Sequence, residues 1–453
     1  MNKLLTLSCL NSCMQLRLLA ANVPLSMEKI VKVSRNLSYA ICALTMWVNG
    51  ANAWSNALPV GPAVGDQTLS PFYIWDGALP DKPGVMLREE PIPGQPDITD
   101  ASQIARILYT SQDKRWNAGI VPVSGTLWLP KGQAPKGGWP LVAWAHGTLG
   151  VADSCAPSWT NPTPRDAHYI NQWLKQGFAV VGTDYQGLGG PGPHPYMNWE
   201  AEGRSVLDSV RAVLNSSPQV ANNLVISGQS QGSGASLGAS LLAPDYAPEL
   251  KLRATIATGV VATFPDGPIK PGPARPGQRD PARFTLLRII GGSLPDGAPA
   301  AEKWVTDKGT KMLALARTAC MPELGRYERR EKLTGGTVFV GGTKQVESKL
   351  LAVTDMPVKT FPAPLFTATG LADHTLSPHH QYAAIAALCA GGNAVEWKTY
   401  PGITHNGVVN VAFDDELKFV RGVMENAPQP NSCGSLQAPG KLQQPARGVA
   451  FNK

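Results

Sequence analysis

The sequence predicts an α/β protein with a mostly parallel central sheet flanked by helices and an inserted helical segment. Three observations carry this. Short β-branched runs alternate with helical stretches between about residues 120 and 400. One run, Leu224-Val-Ile-Ser-Gly-Gln-Ser-Gln-Gly232, passes directly into a Gly-x-Ser-x-Gly turn. That strand–turn–helix signature lifts a serine above the carboxyl end of a parallel sheet. Finally, the alternation breaks once, between Thr258 and Leu365, in a stretch rich in proline and glycine.

Residues 1–53 read as a leader and not as fold. Met27 opens a better signal peptide than Met1, which makes 27–53 the export signal and 1–26 an upstream extension. Lys29, Lys32 and Arg35 form the basic segment, Leu37 to Val48 the apolar segment, and Ala51-Asn-Ala53 the cleavage site. The apolar segment has 12 residues, too few to span a bilayer. No later segment is long and apolar enough, so no transmembrane segment is expected after leader removal. Without residues 1–53 the net charge drops from +7 to +3, with 35 basic and 32 acidic residues. The chain has no dense basic run and no aromatic-interleaved basic patch, which excludes a nucleic-acid partner. Cysteines fall from seven to four: Cys155, Cys320, Cys389 and Cys433. An even number in an exported chain suggests two disulfides, with three pairings open. None has Cys-x-x-Cys spacing, which argues against zinc. Only 16% of residues are charged, while Gly (46) and Pro (40) abound, as in a compact, loop-rich globular protein.

The mature elements follow in order. Residues 54–100, rich in Pro, Gly and Asp, read as an extended arm. Buried strands are expected at Ile120–Leu129, Leu141–Ala145, Ala179–Thr183, Leu224–Ser227, Ala254–Thr258, Leu365–Thr369 and Val395–Tyr400. Helices are expected between them, at Asp166–Lys175, Glu200–Leu214 and Ser377–Cys389. The core therefore comprises 54–264 and 356–453. Residues 265–355 form an insertion with helices at Thr285–Ile290 and Ala300–Thr318. Its size, and its departure from the sheet, suggest a helical cap over the site.

The chemistry starts at Ser230. A second Gly-x-Ser-x-Gly match, Gly234-Ala-Ser-Leu-Gly238, lies where the helix should already run, so Ser236 reads as a helix residue. Small neighbours there suggest close packing on the sheet. A serine hydroxyl needs a base within hydrogen-bond reach and an acid to orient that base. In this architecture the chain order is Ser, then Asp or Glu, then His. Of seven histidines, His374, His379, His380 and His405 follow Ser230. His405 sits in a glycine-bearing loop just past the last strand, where the base belongs. His379 and His380 read as surface or capping residues at a helix start. Asp373 follows the strand that begins at Leu365 and supplies the acid, whereas Asp414 and Asp415 come after His405. Oxyanion charge needs two N–H donors. The backbone of Gln231 supplies one, and that of Thr148, in Trp144-Ala-His-Gly-Thr-Leu-Gly150, the other. His146 reads as a brace for that loop. The glycine-rich Thr183–Gly190 stretch lacks the spacing of a dinucleotide fingerprint and a Walker lysine.

Together His146-Gly-Thr, Cys155-Ala-Pro-Ser, Asp184-Tyr-Gln-Gly-Leu-Gly, Gly228-Gln-Ser-Gln-Gly, Asp373 and His405 resemble the secretory lipases of the fungal lipase A type and their bacterial relatives. The likeness spans roughly residues 70–435, and Cys-Ala-Pro-Ser is its most specific part. It implies an α/β-hydrolase with a cap between the nucleophile and acid strands. It also implies hydrolysis of carboxylic esters, including acylglycerols, with no metal and no cofactor. It pairs the cysteines as Cys155–Cys320 and Cys389–Cys433. The chain departs from the pattern at His146-Gly-Thr, where some members carry an acidic residue.

The expectation is a secreted or periplasmic serine hydrolase, a lipase or carboxylesterase acting on ester or lipid substrates through an acyl-enzyme. The alternatives are an exopeptidase or acyltransferase using the same triad, or an esterase for short-chain, aromatic or polyester substrates. A non-catalytic binding module on the same scaffold would leave the triad broken.

Overall fold

The computed structural model describes residues 57–270 and 281–453. The leader expected at 1–53, and much of the proline-rich hinge after Pro265, lie outside them. Nine strands build one sheet: β1 Met86–Pro91, β2 Ala101–Gln112, β3 Ile120–Pro130, β4 Trp139–Ala145, β5 Ala179–Thr183, β6 Val220–Gln229, β7 Leu252–Thr258, β8 Leu365–Gly370 and β9 Val395–Tyr400. Their spatial order is β1-β2-β3-β5-β4-β6-β7-β8-β9. The first three strands pair antiparallel, β3 is antiparallel to β5, and all pairs from β5 through β9 are parallel.

Burial on both faces explains why these strands read as unbroken apolar runs. Along β4, Leu141 and Ala143 face one core with Val206, Val210, Ala235 and Ala239. Their neighbours Val142 and Trp144 face the other, with Trp173, Phe413 and Phe419. Among the described residues the helices of seven residues or more are α1 Pro164–Lys175, α2 Trp199–Ser216, α3 Gln231–Tyr246, α4 Ala282–Arg288, α5 Asp307–Ala316, α6 Met321–Arg330, α7 Pro378–Ala390 and α8 Phe413–Met424. Four of these starts carry side-chain caps, three of them on helices that flank the sheet. Thr163 accepts from Asp166 N–H, Asn198 from Ala201 N–H, and Ser377 from His380 N–H.

The arm expected at 54–100 needs correction. It contains β1, and β2 follows it directly. β1 carries Arg88, Glu89, Glu90 and Pro91, the charges and proline that protect a sheet edge, so its apolar pattern is weak. Arg106 interrupts the apolar run of β2. Its guanidinium carbon lies 5.2 Å and 5.3 Å from the ring centres of Phe72 and Tyr73, so the charge rests on aromatic faces.

Between β7 and β8 the chain leaves the sheet for α4, α5 and α6, which share an apolar cluster that includes Leu286, Leu287, Met312, Leu313 and Leu324. The helix expected at Thr285–Ile290 starts earlier, at Ala282. It ends in a wide turn over Ile289–Ser293, where Gly292 has φ +79°. The helix expected at Ala300–Thr318 divides into a 3-10 turn, Ala301–Trp304, and α5. Thr306 caps α5 by accepting from Gly309 N–H. A hydrogen-bonding cap residue competes with helix continuation, and here it wins.

One core group predicts a pH response. Glu416 is fully buried beneath Tyr169, whose hydroxyl donates to Glu416 Oε2 at 2.5 Å, while Oε1 has no partner. Burial pushes this carboxyl up to about 8. The folded state therefore holds a proton that the unfolded chain has released. The stabilisation is complete below the unfolded value and is lost as pH climbs towards 8. Glu202, also near 8, and Asp153, near 7, add in the same direction. The thermal midpoint should fall between about pH 5 and about pH 8.5, and Glu416→Gln should shrink that fall by about 5 °C. Parallel melting curves for both proteins would rule this out.

Candidate active site

Ser230 sits at the tip of β6, at the first step into α3. Its φ of 57° and ψ of −121° are a conformation L-residues rarely hold, and they lift Oγ clear of the sheet. The turn closes because its two glycines lack side chains. A carbon on Gly228 would lie 1.9 Å from Gly232 O, and one on Gly232 1.8 Å from Ala145 O. The second contact also seats the elbow against the loop that begins at His146.

His405 and Asp373 converge on this serine from two adjacent loops. His405 Nε2 lies 2.7 Å from Ser230 Oγ, and His405 Nδ1 lies 2.6 Å from Asp373 Oδ2. Asp373 is fully buried and the His405 side chain is 8% exposed, so little water competes for either bond. Asp373 accepts three further bonds: Thr375 N–H at 2.9 Å, Leu376 N–H at 2.8 Å and the Gln381 side-chain amide at 2.9 Å. Gln229 Nε2 donates to His405 O at 3.0 Å, so β6 holds the backbone of His405 as well as carrying the serine.

Gln231 opens α3, so its N–H has no partner within the helix. Its side chain is tied down behind the elbow. Nε2 lies 2.7 Å from both His194 Nε2 and Glu202 Oε1. Burial pushes Glu202 up to about 8 and His194 down to about 3. Both are uncharged near neutrality, so their 3.8 Å approach is not an ion pair. Thr148 Oγ1 lies 2.8 Å from Tyr196 OH. His146 is buried, with Nδ1 2.7 Å from Gly147 O, and its carbonyl accepts from Tyr185 OH at 3.0 Å. That environment suits a loop brace.

The remaining expectations fall as follows. Ser236 is a buried helix residue, with Oγ donating to Ser233 O at 3.0 Å and Ile256 O at 3.1 Å. Its small neighbour Gly238 serves a different contact from the one expected. A carbon there would lie 2.4 Å from Trp199 O, so it admits the neighbouring helix α2 and not the sheet. His380 is half-buried, and Nε2 is enclosed without a partner, so it is not a surface residue; its backbone N–H does join the cap of α7. His374 is exposed, with Nε2 3.1 Å from Gln443 O. The cysteines are bonded as Cys155–Cys320 and Cys389–Cys433. The first bond joins the loop after Thr148 to the start of α6, where Met321 N–H also donates to Leu149 O at 2.8 Å.

A serine at a strained elbow, an imidazole and a buried carboxylate thus meet on a nine-stranded sheet. The secretory lipase family model matches residues 155–266, from the first bonded cysteine past the Ser230 elbow. Over that stretch the chain is similar to the secretory lipases. The chain is 34% identical to lipase 7 of Candida albicans, over 25% of this chain and 28% of that protein. It is 23% identical to lipase A of Moesziomyces aphidis, over 88% of this chain and 89% of that protein. The match thus spans well under half of the Candida albicans relative but nearly the whole of the other. Among solved structures, Candida antarctica lipase A in its closed state superposes with a TM-score of 0.60. That match has 18% identity and covers 85% of this chain and 90% of that one. A rice cell wall degrading esterase, LipA from Xanthomonas oryzae, gives 0.53 at 16% identity, over 76% and 97%. These likenesses establish the α/β-hydrolase fold. Among the described residues no helix is long and apolar enough to cross a membrane.

Proposed function

We propose that this protein is an exported serine hydrolase that cleaves carboxylic esters through Ser230, His405 and Asp373. The observation that carries the reading is the chain of bonds from Ser230 Oγ to His405 (2.7 Å) and from His405 to Asp373 (2.6 Å). Ser230 Oγ attacks the ester carbonyl while His405 Nε2 takes its proton. Asp373 holds the ring with Nδ1–H towards it and stabilises the imidazolium. The backbone N–H groups of Gln231 and Thr148 receive the developing oxyanion. Collapse breaks the C–O bond, and His405 returns the proton to the departing alcohol. Water, activated by His405, then attacks the acyl-enzyme and frees the acid and Ser230.

Residues 265–355 act as a cap in this reading. Support comes from α4 to α6, which leave the sheet beside the elbow, and from their Cys155–Cys320 tie to the loop that bears Thr148. The two disulfides and the leader favour export. The family favours lipid or other acyl esters over the exopeptidase or acyltransferase alternatives, and the mechanism asks for no metal or cofactor.

A p-nitrophenyl ester series tests this directly. The mature protein should hydrolyse at least one member and label with a fluorophosphonate probe. Preference for acetate or butyrate would mark an esterase, and long chains with interfacial activation a lipase. Turnover of aminoacyl naphthylamides without any ester hydrolysis would overturn the proposal.

A further inference from the structure

We propose that the last residues of the chain form a strap that positions His405, with Asn452 as its anchor; this rests on the reading of His405 as the base. After Cys433, which is bonded to Cys389, the chain runs from Leu436 to Lys453 without helix or strand and is mostly exposed. Asn452 is the exception, at 7% exposure. Both polar atoms of its side chain are bonded. Oδ1 accepts from Thr404 N–H at 2.7 Å, and Nδ2 donates to Gly402 O at 3.0 Å and Ala446 O at 2.9 Å. Thr404 immediately precedes His405.

The rest of the strap reaches both loops of the site. Ala446 N–H donates to Gly402 O at 2.7 Å. Gln443 Oε1 accepts from Gly402 N–H at 2.7 Å, and Gln443 N–H donates to Leu371 O at 2.9 Å, two residues before Asp373. Gly407 leaves room for this. A side-chain carbon there would stand 2.5 Å from Asn452 Oδ1. The loop from Gly402 to Gly407 has no strand partner, so its polar backbone must find partners elsewhere. Asn452 gives it an acceptor and a donor at adjacent points, a pairing that a backbone amide also offers. Three supports then fix the base: Asp373 on the ring, Gln229 on its carbonyl and Asn452 on the residue before it. Nε2 approaches Ser230 Oγ correctly only if that loop stays in register, and small displacements at such a site cost rate more than binding.

Asn452→Ala should lower kcat for a soluble p-nitrophenyl ester about tenfold, with KM within about twofold. Fluorophosphonate labelling of Ser230 should slow by a similar factor. Asn452→Asp keeps an acceptor for Thr404 but turns a carboxylate oxygen towards two carbonyls, so it should fall between. A protein ending at Phe451 should behave like Asn452→Ala, and one ending at Asn452 like wild type; neither deletion removes an apolar core residue, which guards against loss of folding. A purely structural tail would lower the thermal midpoint while leaving kcat and labelling at 25 °C unchanged. That result, with Ser230→Ala inactive, overturns the strap and spares the hydrolase reading. Full activity in Ser230→Ala overturns both.

Discussion

Ser230→Ala should cut ester hydrolysis by about 10⁴-fold or more while leaving the fold intact. The change removes one oxygen whose bond in the site is to His405 Nε2. The elbow does not depend on that oxygen. Its shape is held by Gly228 and Gly232 and by Ser230 N–H donating to Thr258 O at 3.0 Å. Alanine at φ 57° bears the same strain as serine, so the thermal midpoint should move by no more than about 2 °C. The residual rate reports the oxyanion donors and substrate binding, which survive the substitution. Ser236→Ala is the matched control. That hydroxyl is buried and bonded to Ile256 O, so its loss should cost about 1 kcal/mol of stability and little activity. Initial rates and melts on both variants check the pair. A fully active Ser230→Ala would remove Ser230 from the mechanism, and a folded but inactive Ser236→Ala would bring Ser236 into it.

The three side chains that meet at the candidate site are legible in the sequence for a physical reason. Each sits where a buried strand ends in a glycine-bearing loop, and their order along the chain narrows the choice among serines, aspartates and histidines. Ser230 stood out from Ser236 because β-branched residues lead into it. The groups that hold those side chains carry no comparable signal. Gln381 reaches Asp373 from the next helix, Gln229 reaches His405 across 176 positions, and Asn452 arrives from a segment with no periodicity. Glutamine and asparagine occur throughout the chain, and only folding shows which amide meets which carbonyl. The buried Glu202 and His194 behind Gln231 were hidden for the same reason. The edge strand β1 and its neighbour β2 carry no clear apolar pattern, because charges that protect an edge, or lie over aromatic rings, look like loop. The cysteine pairs came from resemblance alone. Spacing left three pairings open, whereas the fold brings the bonded Cα atoms within 5.5 Å and 5.4 Å.

Asp373→Asn should reduce kcat by about 10³- to 10⁴-fold, and the geometry says why a near-isosteric change is so severe. Oδ1 of the acid faces two backbone donors, Thr375 and Leu376, which no asparagine nitrogen can satisfy. The amide oxygen must therefore take that side. Its nitrogen then occupies the position of Oδ2, 2.6 Å from His405 Nδ1. A donor there turns the imidazole to the tautomer with its proton on Nε2. In that form His405 cannot accept the proton of Ser230, although every heavy atom remains close to its place. The neighbouring Gln381 amide also loses its acceptor on Asp373 but keeps Leu376 O at 3.0 Å, so the local fold should hold. The substitution thus separates tautomer control from architecture. kcat and fluorophosphonate labelling should collapse together, while the thermal midpoint should fall by only a few degrees, about 2–4 °C. Asp373→Ala removes the wrong-way donor along with the acid, so it should be less damaging per bond lost than its four missing acceptor contacts suggest. An Asp373→Asn protein that labels at the wild-type rate would show that the carboxylate does not set the ring, and the acid of the site would have to be sought elsewhere.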